Sequence, residues 1–382
     1  MVIIALQLEP PMANRSPIGI AEAVIRRPRS GKPLRRASET MNTQARLPFI
    51  PRLEALRGCA AVSVVGYHCT AWITGTYVTG LGPVVLFFVL SGFVLARSLS
   101  NNSDPVNFFR HRLFRLLPAA IATVLLFSAL CFQFRFFVGQ EGNIDPLNVL
   151  LNALMIKSDI NPTMWSMTVE SLATPVILLS FMMFQRWSER PLVILVAVLF
   201  GLSFIGPYAH LLGGFSNLAP LYAFVIGVLV HFRGRAIVER LAKFESIAAV
   251  AALALFCFCG TRKQTSPILL LECLSSAMVI ALIAFGPAMG LWRPLDHAVV
   301  RFYGRVSYSF YLLHMIGVSL AVRMINELPW PPLLLIACSV AVALVITTPL
   351  AWIFWKFIEA PFINFGKRSI NLASAGLSER TI

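Results

Sequence analysis

Residues 332–355 read Pro332-Leu333-Leu334-Leu335-Ile336-Ala337-Cys338-Ser339-Val340-Ala341-Val342-Ala343-Leu344-Val345-Ile346-Thr347-Thr348-Pro349-Leu350-Ala351-Trp352-Ile353-Phe354-Trp355, without one charged side chain. About 20 apolar residues, rising 1.5 Å each, cross the 30 Å of a bilayer's hydrocarbon core. The stretch is therefore read as part of a membrane span over 332–358. Nine further apolar runs lie upstream, at roughly 53–72, 79–99, 117–137, 164–184, 191–209, 213–231, 246–261, 267–288 and 306–325. The expected fold class is an all-α integral membrane protein of about ten transmembrane helices. Composition agrees: of 382 residues 57% are hydrophobic and 13% charged, and the mean hydropathy is +0.76. A soluble domain carries about 25% charged residues, so a soluble enzyme or a disordered chain fits poorly.

The net charge of +15 raises the question of nucleic acid, and its distribution answers it. With ten crossings, 26 of the 32 Lys and Arg fall on the side of the termini and five on the other, while Arg57 lies inside the first helix. That asymmetry is the positive-inside signal. It places both termini in the cytoplasm and assigns the basic excess to topology and lipid headgroups, with no nucleic-acid partner. The seven cysteines all fall in predicted helices or at their ends, in no metal-ligand spacing. They read as small apolar core residues, and no metal is expected.

Residues 1–48 form a basic stretch with no secretory apolar region and are expected to be a flexible cytoplasmic tail. Met41 offers an alternative translation start, which would leave residues 1–40 untranslated. The membrane domain is expected over 49–366, followed by a short cytoplasmic tail over 367–382.

Chemistry must then come from polar residues within the helices, where each charge is costly and a functional candidate by default. In the first helix Arg57 and His68 are eleven residues apart, about 16 Å of rise on one helix face. The fourth helix begins Trp165-Ser166-Met167-Thr168-Val169-Glu170, and Ser166 and Glu170 share a face. Counting from the non-cytoplasmic helix end puts Glu170 about 9 Å inside, at a depth similar to His68. On that count a carboxylate and an imidazole meet at one level, either as an oriented base or as a structural pair. In the ninth helix Ser307, Tyr311 and His314 form a polar stripe at i, i+4, i+7. Arg112 and Arg115 stand beside Pro118, which can open a helix, and read as a positive-inside anchor or as forks for a phosphorylated ligand. Glu272 lies inside the eighth helix with no evident partner, and Pro361 reads as a stop signal after the last.

In order along the chain, Arg57 to His68 match R-x(10)-H and Phe87-Phe88-Val89-Leu90-Ser91-Gly92-Phe93 matches FFVxSGF. Arg112 to Pro118 match RxxRxxP, Trp165 to Glu170 match WSLxxE, Ser307 to His314 match SYxxYLxH, and Glu359-Ala360-Pro361 matches ExP. Taken together these motifs resemble the acyltransferase-3 family of polytopic membrane O-acyltransferases, over about residues 50–368. The aromatic stretch that usually follows the family's WSLxxE is replaced here by Ser171-Leu172-Ala173-Thr174-Pro175.

The resemblance implies transfer of an acyl group, commonly acetyl, from cytoplasmic acetyl-CoA or another acyl-CoA. The acceptor would be a hydroxyl of a cell-surface or secreted glycan or of a glycosylated small molecule. The location would be the plasma membrane, as a bacterial multi-pass inner-membrane protein surrounded by lipid. Relatives with a fused extracytoplasmic transferase domain imply a separate such transferase as a partner. The catalytic set it suggests is His68 as general base, Glu170 orienting it, and Arg57 holding phosphate or oxyanion charge. Arg112, Arg115, Ser166, Tyr311 and His314 would contact substrate. A reading from another class is a transporter or flippase of a glycan or lipid.

Overall fold

The computed structural model describes residues 47–76, 81–136, 138, 143–204 and 221–368. Among these residues every regular element is helical: α1 (Pro51–Thr74), α2 (Leu81–Asn101), α3 (Pro105–Phe134), α4 (Pro146–Ala153), α5 (Trp165–Trp187), α6 (Arg190–Ser203), α7 (Leu221–Arg240), α8 (Glu245–Gly260), α9 (Ser266–Phe285), α10 (Ala298–Ile325) and α11 (Pro332–Phe354). Seven of them are long and apolar enough to cross a membrane. α6 and α8 are apolar but shorter, and in α1 the polar face carrying Arg57 and His68 lowers the hydropathy. The chain is an all-α integral membrane protein. The expected N-terminal tail and the C-terminal tail beyond residue 368 lie outside the described residues.

Several boundaries differ from the apolar runs. α3 starts at Pro105 rather than 117, with the Asp104 carboxylate accepting from the Val106 amide at 3.0 Å, and Pro118 lies inside the helix. α10 starts at Ala298 rather than 306, and α7 runs on to Arg240 rather than 231. Residues 213–220, the predicted beginning of α7, lie outside the described residues. Hydrophobicity marks where a helix meets lipid, whereas Arg-rich extensions are good helix formers and continue beyond it. Nor does Pro361 stop the last helix. A π turn over Trp355–Glu359 widens it, and helix continues through residue 368. The wider turn accommodates the proline ring that would strike an ordinary preceding turn.

Two glycine contacts organise the packing. α2 and α7 approach so closely that a Cβ on Gly92 would run into the Phe224 backbone, and one on Gly227 into the backbone of Val89 and Phe93. Ser91-Gly92 thus serves the close approach that small residues allow between membrane helices. α1 and α10 do the same through Gly58 and Gly304, each abutting the other helix's backbone. The α1–α10 pair is parallel and in register: Gly58 faces Gly304, and ten residues further along each helix His68 faces His314. α11 covers the other side of α10, and α9 packs on α8, α7 and α2.

The segment 143–163, between α3 and α5, is built around the short helix α4 and a set of buried polar side chains. α4 turns Asn148 and Asn152 inward and Leu147 and Leu150 outward. The Asn148 and Asn152 amides donate to Asp159 at 2.9 and 2.5 Å, and Asn152 accepts from the Ile160 amide at 3.2 Å. The fully buried Asn161 donates to the Leu312 carbonyl, near the middle of α10, at 3.0 Å. The segment therefore re-enters the bundle. Irregular backbone is tolerated at such depth only where protein groups satisfy it, and these four side chains do so.

Candidate active site

Because Asn161 is tied to Leu312, α5 begins inside the bundle rather than at its surface. The Ser166 hydroxyl donates to the Tyr311 hydroxyl at 2.9 Å, which in turn donates to the Thr163 carbonyl at 3.2 Å. One turn further along α5, Glu170 meets α3. Arg112 Nη1 donates to Glu170 Oε1 at 3.0 Å, and the Ser91 hydroxyl donates to the same oxygen at 3.1 Å. Arg112 Nη2 donates to the Glu170 carbonyl at 3.2 Å and Nε to the Thr174 hydroxyl at 3.4 Å. Arg112 is 6% exposed. It fastens α3 to α5 with a fork of polar bonds.

These residues form one wall of a narrow cleft between α1, α2, α3, α5 and α10. Phe87, Phe88 and Val84 of α2 supply much of its apolar lining, and Ser307, Tyr308 and Tyr311 of α10 its polar edge. The Tyr308 hydroxyl donates to the Leu116 carbonyl at 2.8 Å and fixes α10 to α3. Arg57 and Arg115 also line the cleft. They lie within electrostatic reach of Glu170 and of each other, yet neither guanidinium hydrogen-bonds to any described residue. Three guanidinium groups thus face one carboxylate at the cleft, and two of the three have donors to offer a ligand. The buried Glu359, delivered by the π turn, accepts from the Ser309 hydroxyl at 2.6 Å behind this wall.

His68 lies elsewhere. It is absent from the cleft lining, and among the described residues it shares no hydrogen bond with Glu170. Its imidazole sits 5.3 Å, centroid to centroid, from that of His314. The His314 ring in turn lies 5.3 Å from the Tyr311 ring, which does line the cleft. The expectation that Glu170 and His68 share a depth is therefore corrected. It assumed that α5 starts at the membrane surface, whereas the helix starts deep and carries Glu170 down to the arginines. Arg112 lines the cleft as well, but Nε, Nη1 and Nη2 each donate one bond to α5. Ser166, Tyr311 and His314 come together across α5 and α10.

Some contributors were not singled out from sequence. Ser91, Tyr308 and Glu359 stood in quoted motifs without a role. Thr174 and Asn161 carried no signal, because nothing in a linear pattern tells a buried polar residue from an exposed one. Glu272 is fully buried and accepts from the Gln264 amide at 3.2 Å, away from the cleft. No group of three His, Cys, Asp or Glu able to hold a metal occurs among the described residues.

Residues 50–353 match the acyltransferase-3 family, described as "Acyltransferase domain". The chain is 24% identical over 370 residues to "Putative O-acetyltransferase SACOL0978" of Staphylococcus aureus (strain COL), covering 85% of this chain and 59% of that one. It is 26% identical over 299 residues to "Putative membrane-bound transacylase BcsY" of Komagataeibacter xylinus, covering 70% and 73%. A stretch of 90 residues, 21% of this chain, is 33% identical to "O-acetyltransferase OatA" of Staphylococcus aureus (strain NCTC 8325 / PS 47). The chain thus spans about three fifths of the first of these relatives. No solved structure matches it.

Proposed function

The chain belongs to the acyltransferase-3 family, and from that premise we propose that this multi-pass membrane enzyme moves an acetyl group from cytoplasmic acetyl-CoA to a hydroxyl of a cell-surface or secreted glycan. The observation that carries the reading is the pair Arg57 and Arg115, two guanidinium groups with no hydrogen-bond partner among the described residues, at a cleft whose α2 side is apolar. Such donors suit the phosphates of an acyl-CoA, and the apolar walls suit its pantetheine arm. Ten crossings with both termini cytoplasmic would open this end of the cleft to the donor, in a bacterial plasma membrane.

Arg57 and His68 are about 16 Å apart along α1. An arm anchored at the arginines and extended past Ser166 and Tyr311 brings its thioester toward the histidines. His68 as general base takes the proton of the acceptor hydroxyl while that oxygen attacks the thioester carbonyl. The C–S bond breaks, the ester forms, and the proton passes from His68 to the departing thiolate. Arg112 and Glu170 hold the wall that shapes the path. A separate extracytoplasmic transferase would extend delivery to distant acceptors.

The test uses purified protein in liposomes with acetyl-labelled CoA and an envelope glycan fraction. Wild type should move label off CoA, and His68→Ala should lose at least about 10²-fold, the lower end for a general base. Equal turnover by both proteins would refute the assignment of His68. Absence of CoA binding by wild type would refute the donor.

A further inference from the structure

We infer that His314 is a positioning residue that sets the tautomer and aim of His68. The inference rests on the proposed role of His68 and adds a partner to it. The argument starts from one atom. His314 Nδ1 lies 2.5 Å from the Tyr311 carbonyl oxygen. A carbonyl has lone pairs and no proton, so the hydrogen in that contact sits on Nδ1. In a neutral imidazole the proton on Nδ1 leaves Nε2 with a lone pair. His314 Nε2 is buried on a fully buried side chain and has no hydrogen-bond partner among the described residues. An acceptor left so costs free energy unless something fills it.

The imidazole beside it is that of His68, 5.3 Å away with the planes tilted by 35°. That separation suits two five-membered rings meeting edge to edge across a bond of about 3 Å. The bond inferred here runs from a His68 N–H to His314 Nε2, and the ring separation leaves room for it. Catalytic hydrogen bonds are often loose in a free enzyme and tighten when substrate binds. Once the bond is made, the other nitrogen of His68 carries the lone pair and points away from His314. It is then a base in a defined tautomer and direction. The chain Tyr311 carbonyl, His314, His68 orients a base as a carboxylate does in a hydrolase triad, with no buried charge.

The Gly58–Gly304 contact explains how two helices hold this alignment. It locks α1 and α10 at backbone distance and in register, and ten residues later the two histidines face each other. Tyr311 and Ser166 then connect the pair to the cleft.

The experiment has two independent arms. The chain has six histidines, few enough to assign by single substitution, so ring-¹⁵N-histidine protein in lipid bilayers is examined by solid-state NMR. His314 should appear as the Nδ1–H tautomer. His68 should hold one tautomer in wild type, lose it in His314→Ala and regain it in His314→Gln, whose amide oxygen replaces the Nε2 acceptor. In the second arm, His314→Ala should lower kcat for acetyl-CoA turnover about 10²-fold with KM for acetyl-CoA unchanged. His314→Gln should recover most of that loss, and His68→Ala/His314→Ala should be no slower than His68→Ala alone. An Nε2–H tautomer at His314, or a His68 tautomer indifferent to His314→Ala, overturns the inference whatever the turnover. Full turnover by His68→Ala would instead remove the base assignment, and the NMR arm would still decide whether the pair exists.

Discussion

The Arg112–Glu170 ion pair offers the clearest test of how the cleft is built. It joins α3 to α5, and its partners are 6% and 17% exposed in their side chains. Truncating one member of a buried pair strands the other charge and costs about 3–5 kcal/mol. Glu170→Leu should sit at the upper end, because Arg112 keeps only the Glu170 carbonyl and the Thr174 hydroxyl as partners. Arg112→Met leaves Glu170 the Ser91 hydroxyl and the nearby charges of Arg57 and Arg115, so its cost should lie toward the lower end. Removing both members of the pair strands neither against the other, although Arg57 and Arg115 still lose their carboxylate, so the double variant should be more stable than the sum of the singles by about 1–2 kcal/mol, within the range for contacting residues. Each single variant should lower the melting temperature of the detergent-solubilised protein by roughly 10 °C. Arg115→Met, which removes no hydrogen bond, should leave that temperature unchanged. Strict additivity of the double variant, or a loss at Arg115 equal to that at Arg112, would refute the division of these arginines into one that fastens helices and one that faces ligand.

The other predictions follow from the same geometry. Arg57→Ala and Arg115→Ala should each weaken acetyl-CoA binding about 10-fold or more, in line with a charge-assisted bond of roughly 1.5–3 kcal/mol; titration against melting temperature reads this, and unaltered affinity would separate the cleft from the donor. Gly92→Ala and Gly227→Ala should each sharply reduce recovery of monodisperse protein on size-exclusion chromatography, because the added methyl strikes backbone that cannot rotate away; normal recovery would contradict the close α2–α7 approach. Between α5 and α6 the Ser188 hydroxyl, and after it the Arg233 guanidinium, hold the Glu189 carboxyl down at about 2. A carboxyl depressed in the folded state stabilises above its unfolded value of about 4.3, and that contribution is lost as pH falls toward about 2. Glu189→Gln should therefore narrow the fall in melting temperature over that window, and an unchanged pH profile would show the tie to be energetically silent.

What the sequence made legible follows from which physical rule each feature obeys. The helices were readable because hydrocarbon demands long apolar runs, and all ten runs coincide with described helix over most of their length. Several of their ends were not, since the rule falls silent once the chain leaves lipid and only helix propensity and caps such as Asp104 decide. The shared stripe of Ser307, Tyr311 and His314 was readable from period 3.6 within one helix. Pairing between helices was less so. Depth had to be counted from a helix end, and the end of α5 is displaced by the re-entrant segment. A single error of origin moved Glu170 from the arginines to the histidines. The glycines carried better information than the counting did. Gly58 and Gly304 fix α1 against α10 to within a residue, and from that one contact the facing of His68 and His314 follows by adding ten to each number. Register between membrane helices is thus better argued from where backbones touch than from where the bilayer is thought to begin.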